Sequence, residues 1–156
     1  MRLELRPIGR VITSASHEEL RYGSAISRIV IEPRFVTGLE GIEDFSHLFV
    51  LFWLHQIPKR RHAMKVHPQG RADIPEVGVF ATRSPHRSNP IGLTLVKLLR
   101  RRGRILTVKG LDAYNGTPVF DLKPYDTRDS TPRPRVPPWW KKLQRQNEHI
   151  RQALRR

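Results

Sequence analysis

Short apolar runs alternate with polar turns along most of the chain, a pattern that predicts strands rather than helices. Residues 3–13 alternate loosely and predict a first strand, in which Gly9 marks a bulge or a close backbone approach. Residues 14–24 are mostly polar and predict a loop. Residues 26–32 predict a second strand, ended by Pro33, and a short turn or helix is expected at 35–39. The run from Phe45 to Leu54 is rich in aromatic and branched side chains and predicts a central strand buried on both faces. Further strands are expected at 77–82, 91–99, 104–111 and 118–122, with Arg100-Arg-Arg-Gly103 as a hairpin turn. Many strands, short turns and no βαβ alternation predict a mainly β fold, an antiparallel β-barrel closed or nearly so. The absence of G-x-G-x-x-G argues against a Rossmann cofactor site.

The pattern changes toward the C-terminal end. Prolines at 132, 134, 137 and 138 predict a linker over 126–138. Beyond it, Trp140, Leu143, Asn147, Ile150 and Leu154 recur at helical spacing and predict a basic amphipathic helix over 139–156. The expected plan is a barrel domain over 1–125, a Pro-rich linker over 126–138 and the C-terminal basic helix over 139–156. That helix reads equally as an RNA-binding element or as one docked on the barrel through Trp139 or Trp140. Between Lys59 and Pro75 runs a polar stretch without periodicity, of a length that is usually functional or disordered.

Composition narrows the partners. At 156 residues the chain suffices for one ordinary domain, and its 38% of hydrophobic residues concentrate before 125, so the core must be built there. Lys and Arg number 29 against 14 Asp and Glu, a net charge of +15, and the basic residues cluster at 59–61, 100–104 and in the tail. Nucleic acid is the leading polyanionic partner and an anionic membrane surface the second. The absence of cysteine excludes disulfides, thiolate metal sites and a cysteine nucleophile. Arg2, Glu4 and Arg6 interrupt any signal peptide, and the longest apolar run is too short to span a bilayer, so a soluble cytoplasmic protein is expected. The histidines show neither His-x-x-x-His nor Glu-x-x-His spacing, which argues against a metal site.

Two segments concentrate polar chemistry. In Gly78-Val-Phe-Ala-Thr-Arg-Ser-Pro-His-Arg-Ser-Asn-Pro-Ile-Gly92, Pro85 and Pro90 stiffen a loop that offers Arg83, Arg87 and Asn89. Guanidinium forks of this kind bind carboxylates or phosphates in bidentate fashion. In Leu111-Asp-Ala-Tyr-Asn-Gly-Thr-Pro-Val-Phe-Asp-Leu-Lys-Pro-Tyr125, Asn115-Gly116 marks a turn, and Asp121, Lys123 and Tyr125 place acid, cation and phenol near a strand end. His55 and Gln56 end the apolar run, where a site is more plausible than within it.

These segments resemble the TrmO family, also called TsaA-like or VirR-like. The resemblance rests on Gly38-Leu39 before Phe45-Ser-His-Leu48, on Gly78–Leu93, and on Gly116-Thr-Pro-Val with Asp121-x-Lys-Pro-Tyr125. It covers roughly residues 6–125. It implies a single-sheet β-barrel, S-adenosylmethionine as cofactor, homodimerisation with the cofactor near the subunit interface, and tRNA as substrate. The implied reaction is N6-methylation of N6-threonylcarbamoyladenosine at position 37, beside the anticodon. By matching positions, His55, Gln56, Arg83, Leu95, Tyr114, Asn115, Gly116 and Thr117 lie by the cofactor. Arg87 and Asn89 serve cofactor or substrate, with Arg87 a candidate for the threonyl carboxylate. Asp121, Lys123 and Tyr125 are the candidates for proton removal, and Arg100, Arg101 and Arg102 for holding tRNA. Ser88 stands where the family usually has proline, and Asn115 where an acidic residue is usual. The bacterial C-terminal domain is replaced by the Pro-rich linker and basic helix. Two alternatives stay open: a non-catalytic RNA-binding β-barrel, and a methyltransferase of this fold acting on another nucleoside or a small molecule.

Overall fold

The computed structural model describes residues 4–58 and 63–153. The basic cluster Lys59-Arg-Arg61, His62 and Leu154 therefore lie outside the described residues. In chain order the regular elements are β1 (Gly9–Ile12), α1 (His17–Tyr22), β2 (Ile26–Ile31), β3 (His47–Trp53), β4 (Lys65–Val66), β5 (Val77–Gly78), β6 (Ile91–Arg102), β7 (Ile105–Lys109), β8 (Pro118–Pro124) and α2 (Pro138–Ala153). Contacts divide the chain into two compact units, Met1–Ile57 with Pro90–Asp129 and Pro58–Asn89 with Ser130–Arg156.

In the first unit six strands close into the antiparallel barrel, in the order β1-β2-β7-β6-β3-β8 and back to β1. The mainly β, single-sheet fold predicted from sequence is the fold observed. Period-two alternation builds its interior. Val11, Ile29, Ile31, Leu48, Val50, Phe52, Val96, Leu106, Val108 and Val119 all point inward and are buried. β3 departs from the expectation of burial on both faces. Leu48, Val50 and Phe52 are buried, but Phe49, Leu51 and Trp53 are only half-buried. A barrel has one interior, so outward side chains are shielded only by lateral neighbours. Here Tyr125 packs edge-on against Phe49 at 5.7 Å and Phe120 against Trp53 at 6.0 Å.

Residues 14–24 are not simply a loop, because they contain α1. Ser16 caps that helix by accepting from the Glu19 N–H, and Glu19 accepts in return from the Ser16 N–H at 2.8 Å. This reciprocal box, a left-handed Gly23 at the other end and the buried Leu20 stabilise a single short helix. The β6–β7 turn is also shorter than expected. β6 runs through Arg102, so Arg100, Arg101 and Arg102 belong to the strand, and the turn is made at Gly103, with φ +58°. The first strand is confined to Gly9–Ile12 among the described residues. Within it Gly9 meets the predicted close approach: a Cβ there would lie 2.5 Å from the Val30 carbonyl oxygen.

The second unit contains little regular structure. β4 and β5 form a two-stranded ladder, and Ile74, Val79, Pro68 and Leu143 are buried. The strand expected at 77–82 stops after Gly78 and becomes a turn of 3-10 helix over Val79–Ala81. The reason is local competition for the Val79 carbonyl, which accepts from the Thr82 N–H at 3.1 Å and from Thr82 Oγ1 at 2.7 Å. Asp73 ties α2 to the preceding excursion. Its carboxylate takes a two-pronged bond from Arg71, at 2.8 and 2.6 Å, and an ion pair from Lys142 at 2.8 Å, while Arg71 also donates to Gln146. On the predicted apolar face of α2, Leu143 is 6% exposed, but Trp140 is 40% and Ile150 39% exposed. That face is therefore only partly covered.

Two outcomes are expected. Gly9→Ala should lower the barrel's stability by about 1–3 kcal/mol, because the clash is with backbone that cannot rotate away, and urea denaturation measures it. Arg71 and Lys142 hold the Asp73 carboxyl well below its usual range, so its contribution is present above the unfolded value near 4 and is lost as pH falls below it. The stability gap between wild type and Asp73→Asn should be constant above about pH 5 and narrow on acidification in equilibrium unfolding at a series of pH values.

Candidate functional site

In the barrel unit, the rim at the end of β3 brings several predicted residues together. His55 and Gln56 are exposed immediately after β3. Thr117, only 2% exposed, places Oγ1 3.3 Å from Nδ1 of His55, a hydrogen bond in which either partner can donate. The turn Tyr114–Thr117 is fixed by the backbone. Gly116, at φ +80°, donates its N–H to the Val11 carbonyl at 2.8 Å, and the Thr117 carbonyl accepts from the Val11 N–H at 2.9 Å. The Asn115 side-chain carbonyl accepts from the Thr13 N–H at 3.1 Å. Tyr114 stays exposed and stacks on His17 of α1, with centroids 6.1 Å apart. His17 was not singled out from sequence. The signal that could have found it is the capping box at Ser16 and Glu19, which puts His17 at the start of a helix.

A second group occupies the outer wall of β6, β3 and β8. Register aligns Leu95 with Phe49 and Phe49 with Lys123 in one lateral row, and Leu93, Leu51 and Asp121 in the next. Leu95 thus stands two strand spacings, roughly 10 Å, from the Asp121–Lys123 pair. It lies about 13 Å along the strands from the rim where β3 ends. The structure does not bring Leu95 beside His55 within one chain. Lys123 pairs with Asp121 at 2.8 Å, and that carboxylate holds the ammonium above its ordinary value. The other Asp121 oxygen accepts from the Leu122 N–H at 2.9 Å. Both Asp121 oxygens are thus engaged within the barrel. Tyr125 packs on Phe49 and His47, and its N–H donates to the His47 carbonyl at 3.0 Å.

The strand arginines differ from one another. Arg101 donates to the Leu39 carbonyl at 3.0 Å, to Glu43 at 2.9 Å and to the Gly103 carbonyl at 3.0 Å. It holds the Glu43 carboxyl below its ordinary value, and its side chain is only 17% exposed. Arg100 and Arg102 are the exposed members of that cluster.

In the second unit, Arg87 orders its own loop. Its guanidinium donates to the carbonyls of Ser84 at 2.9 Å, Thr82 at 2.5 Å and Val79 at 3.2 Å. Arg83 and Asn89 are exposed, and Arg83 has no ion-pair partner among the described residues. Among the described residues no group of three His, Cys, Asp or Glu side chains could hold a metal ion.

These features define a class: a closed antiparallel barrel that carries a pinned polar turn at its rim, with an Arg-bearing, Pro-stiffened loop between β3 and β6. The chain belongs to the family described as tRNA-methyltransferase O N-terminal domain, whose model matches residues 17–129. It is 43% identical over 162 residues to a probable S-adenosyl-L-methionine-binding protein of Archaeoglobus fulgidus, covering 99% of this chain and 43% of that one. It is 47% identical over 88 residues to a mouse tRNA (adenine(37)-N6)-methyltransferase, covering 56% of this chain and 20% of the relative. The crystal structure of TrmO from Pseudomonas aeruginosa superposes with a TM-score of 0.68 at 31% identity, covering 86% of this chain and 62% of that one. The chain thus spans less than two thirds of each of these three proteins.

Because Arg87 satisfies three carbonyls with one planar fork, Arg87→Lys cannot reproduce its bonds. Hydrogen exchange should quicken in residues 79–87 and remain unchanged in the barrel strands.

Proposed function

We propose that this chain is an S-adenosylmethionine-dependent tRNA methyltransferase that converts N6-threonylcarbamoyladenosine at position 37 to its N6-methyl form. The observation that carries the reading is family membership across 17–129, together with an intact Arg83-Ser-Pro-His-Arg-Ser-Asn-Pro90 sequence. The names of the relatives support cofactor and substrate class. A tRNA substrate also supports a cytoplasmic location, and no helix among the described residues is long and apolar enough to cross a membrane.

The residues fit such a cofactor chemically. An exposed Tyr114 ring can stack on an adenine, and His55, Gln56 and Asn115 offer polar edges for ribose and base. Arg83 can pair with the cofactor's carboxylate. When bound, S-adenosylmethionine supplies an activated methyl group, so the protein's work is alignment, exclusion of water and proton removal. The attacking N6 belongs to a urea-like group, and its proton must pass to a base as the new N–C bond forms and the S–C bond breaks. Asp121 or Tyr125, with Lys123 nearby, takes that role. Arg87 steadies the loop that presents Arg83 and Asn89, and Asn89 can contact cofactor or substrate. Arg100 and Arg102 contribute phosphate contacts.

The working form is a homodimer. Ile91, Leu93 and Leu95 leave a stripe on β6 that is 38, 49 and 42% exposed, flanked by the half-buried Phe49, Leu51 and Trp53. An apolar wall of this kind fits an isologous interface. Leu95 points outward on it, away from the rim of its own chain, and so would reach a cofactor held by the second subunit.

Calorimetry should show saturable S-adenosylmethionine binding that Arg83→Ala weakens at least tenfold, and methyl transfer to tRNA carrying threonylcarbamoyladenosine. A folded protein that binds no cofactor would leave the non-catalytic RNA-binding barrel in its place. Cofactor binding without transfer to that tRNA would point to another methyl acceptor.

A further inference from the structure

The chain's positive charge is unevenly divided between its two units. Segments 58–89 and 130–156 carry 15 of the 29 Lys and Arg but only 3 of the 14 Asp and Glu, so they hold +12 of the net +15. The barrel unit is nearly neutral by comparison. Among the described residues its ion pairs involve Arg6, Arg34, Arg101, Lys123 and Arg128, whereas those of the second unit involve only Arg71 and Lys142.

In the second unit the helix α2 sorts its side chains by face. Leu143 is buried, and Lys142 is tied to Asp73. The side opposite Leu143 presents Lys141, Arg145, His149 and Gln152, all exposed. Lys141 and Arg145 are one turn apart, and among the described residues neither has an ion-pair partner. Arg133 and Arg135, in the segment leading into α2, are likewise exposed and without one. A helix that lies on a membrane turns its apolar face outward and its cations to the headgroups. Here Leu143 is turned inward, Trp140 and Ile150 beside it are only partly covered, and Lys141 and Arg145 lie on the opposite, polar face. That arrangement suits a hydrated polyanion with regularly spaced charge, whose condensed counterions are released on binding.

We propose that the second unit holds the phosphate backbone of the RNA substrate, through Arg133, Arg135, Lys141 and Arg145. The proposal rests on the tRNA methyltransferase reading for the identity of the RNA. It assigns the main electrostatic grip to this surface rather than to the β6–β7 hairpin, where Arg101 is already engaged.

The test is fluorescence anisotropy of full-length protein with a tRNA transcript, without cofactor, at salt concentrations between about 50 and 200 mM. The variant replaces Arg133, Arg135, Lys141 and Arg145 by Gln. All four side chains are exposed, and unchanged circular dichroism and S-adenosylmethionine binding will report an intact fold. Affinity is expected to fall at least tenfold at low salt, and the slope of log affinity against log salt to flatten by roughly 0.7–0.9 per lost phosphate contact. The Arg100→Gln, Arg102→Gln variant should lose less. Wild-type affinity and slope in the fourfold variant, or a larger loss in the hairpin variant, would overturn the proposal. So would capture of the wild type by phosphatidylserine vesicles, lost in the variant while tRNA affinity is kept, because that result assigns the surface to a membrane. If tRNA binding depends on these four residues but no methyl transfer occurs, the methyltransferase reading fails and this one stands.

Discussion

The seam between β1 and β8 is the contact on which the rest of the barrel depends. It is short, pairing only Gly9 with Val119 and Arg10 with Pro118 in the ladder. Yet it is the join that turns an open sheet, with two unpaired edges, into a ring with none. The same stretch of β1 fixes the rim turn, since Val11 both donates to Thr117 and accepts from Gly116. Closing the sheet and shaping the polar turn are therefore one event. Gly9 permits it on the opposite side, where the Val30 carbonyl oxygen leaves no room for a side chain.

The two units divide the physical tasks. The barrel carries little of the net charge and exposes an apolar wall on β6. The second unit has a sparse apolar interior and relies on charged and hydrogen-bonded ties such as the Asp73 clasp and the Arg87 fork. Ties of that kind suit a unit whose surface faces a charged partner, because they leave its outward cations unspent.

The barrel was legible in the sequence because period-two alternation survives in β2, β3 and β7, where every inward residue but Ser27 is apolar. The errors came where one signal hid another. Aromatic and branched residues on both faces of β3 read as full burial, when half of them serve the outer wall. The polar surface of residues 14–24 masked a helix that a capping box announces. Thr82 diverted the backbone at Val79 out of the strand its apolar neighbours predicted. For the site, turn chemistry located Asn115 and Gly116, but no local pattern could show that Arg87 and Arg101 are occupied by carbonyls. Arg87 bonds within its own loop, to Ser84, Thr82 and Val79, but the Arg101 partner at Leu39 lies 62 residues away. Pairings of that range are set by the fold, and the sequence alone offers only the arginines.

The Asp73 clasp has a consequence for the order in which the molecule can be made. Lys142 follows Asp73 by 69 residues, and the whole of β6, β7 and β8 lies between them. At roughly 5–20 residues per second of synthesis, the excursion waits some 3–14 s for its counterpart to emerge. All six barrel strands are translated by then, so the ring can close while the excursion is still an unanchored polar loop. On the ribosome the barrel strands are thus available before the basic unit can gain this tie.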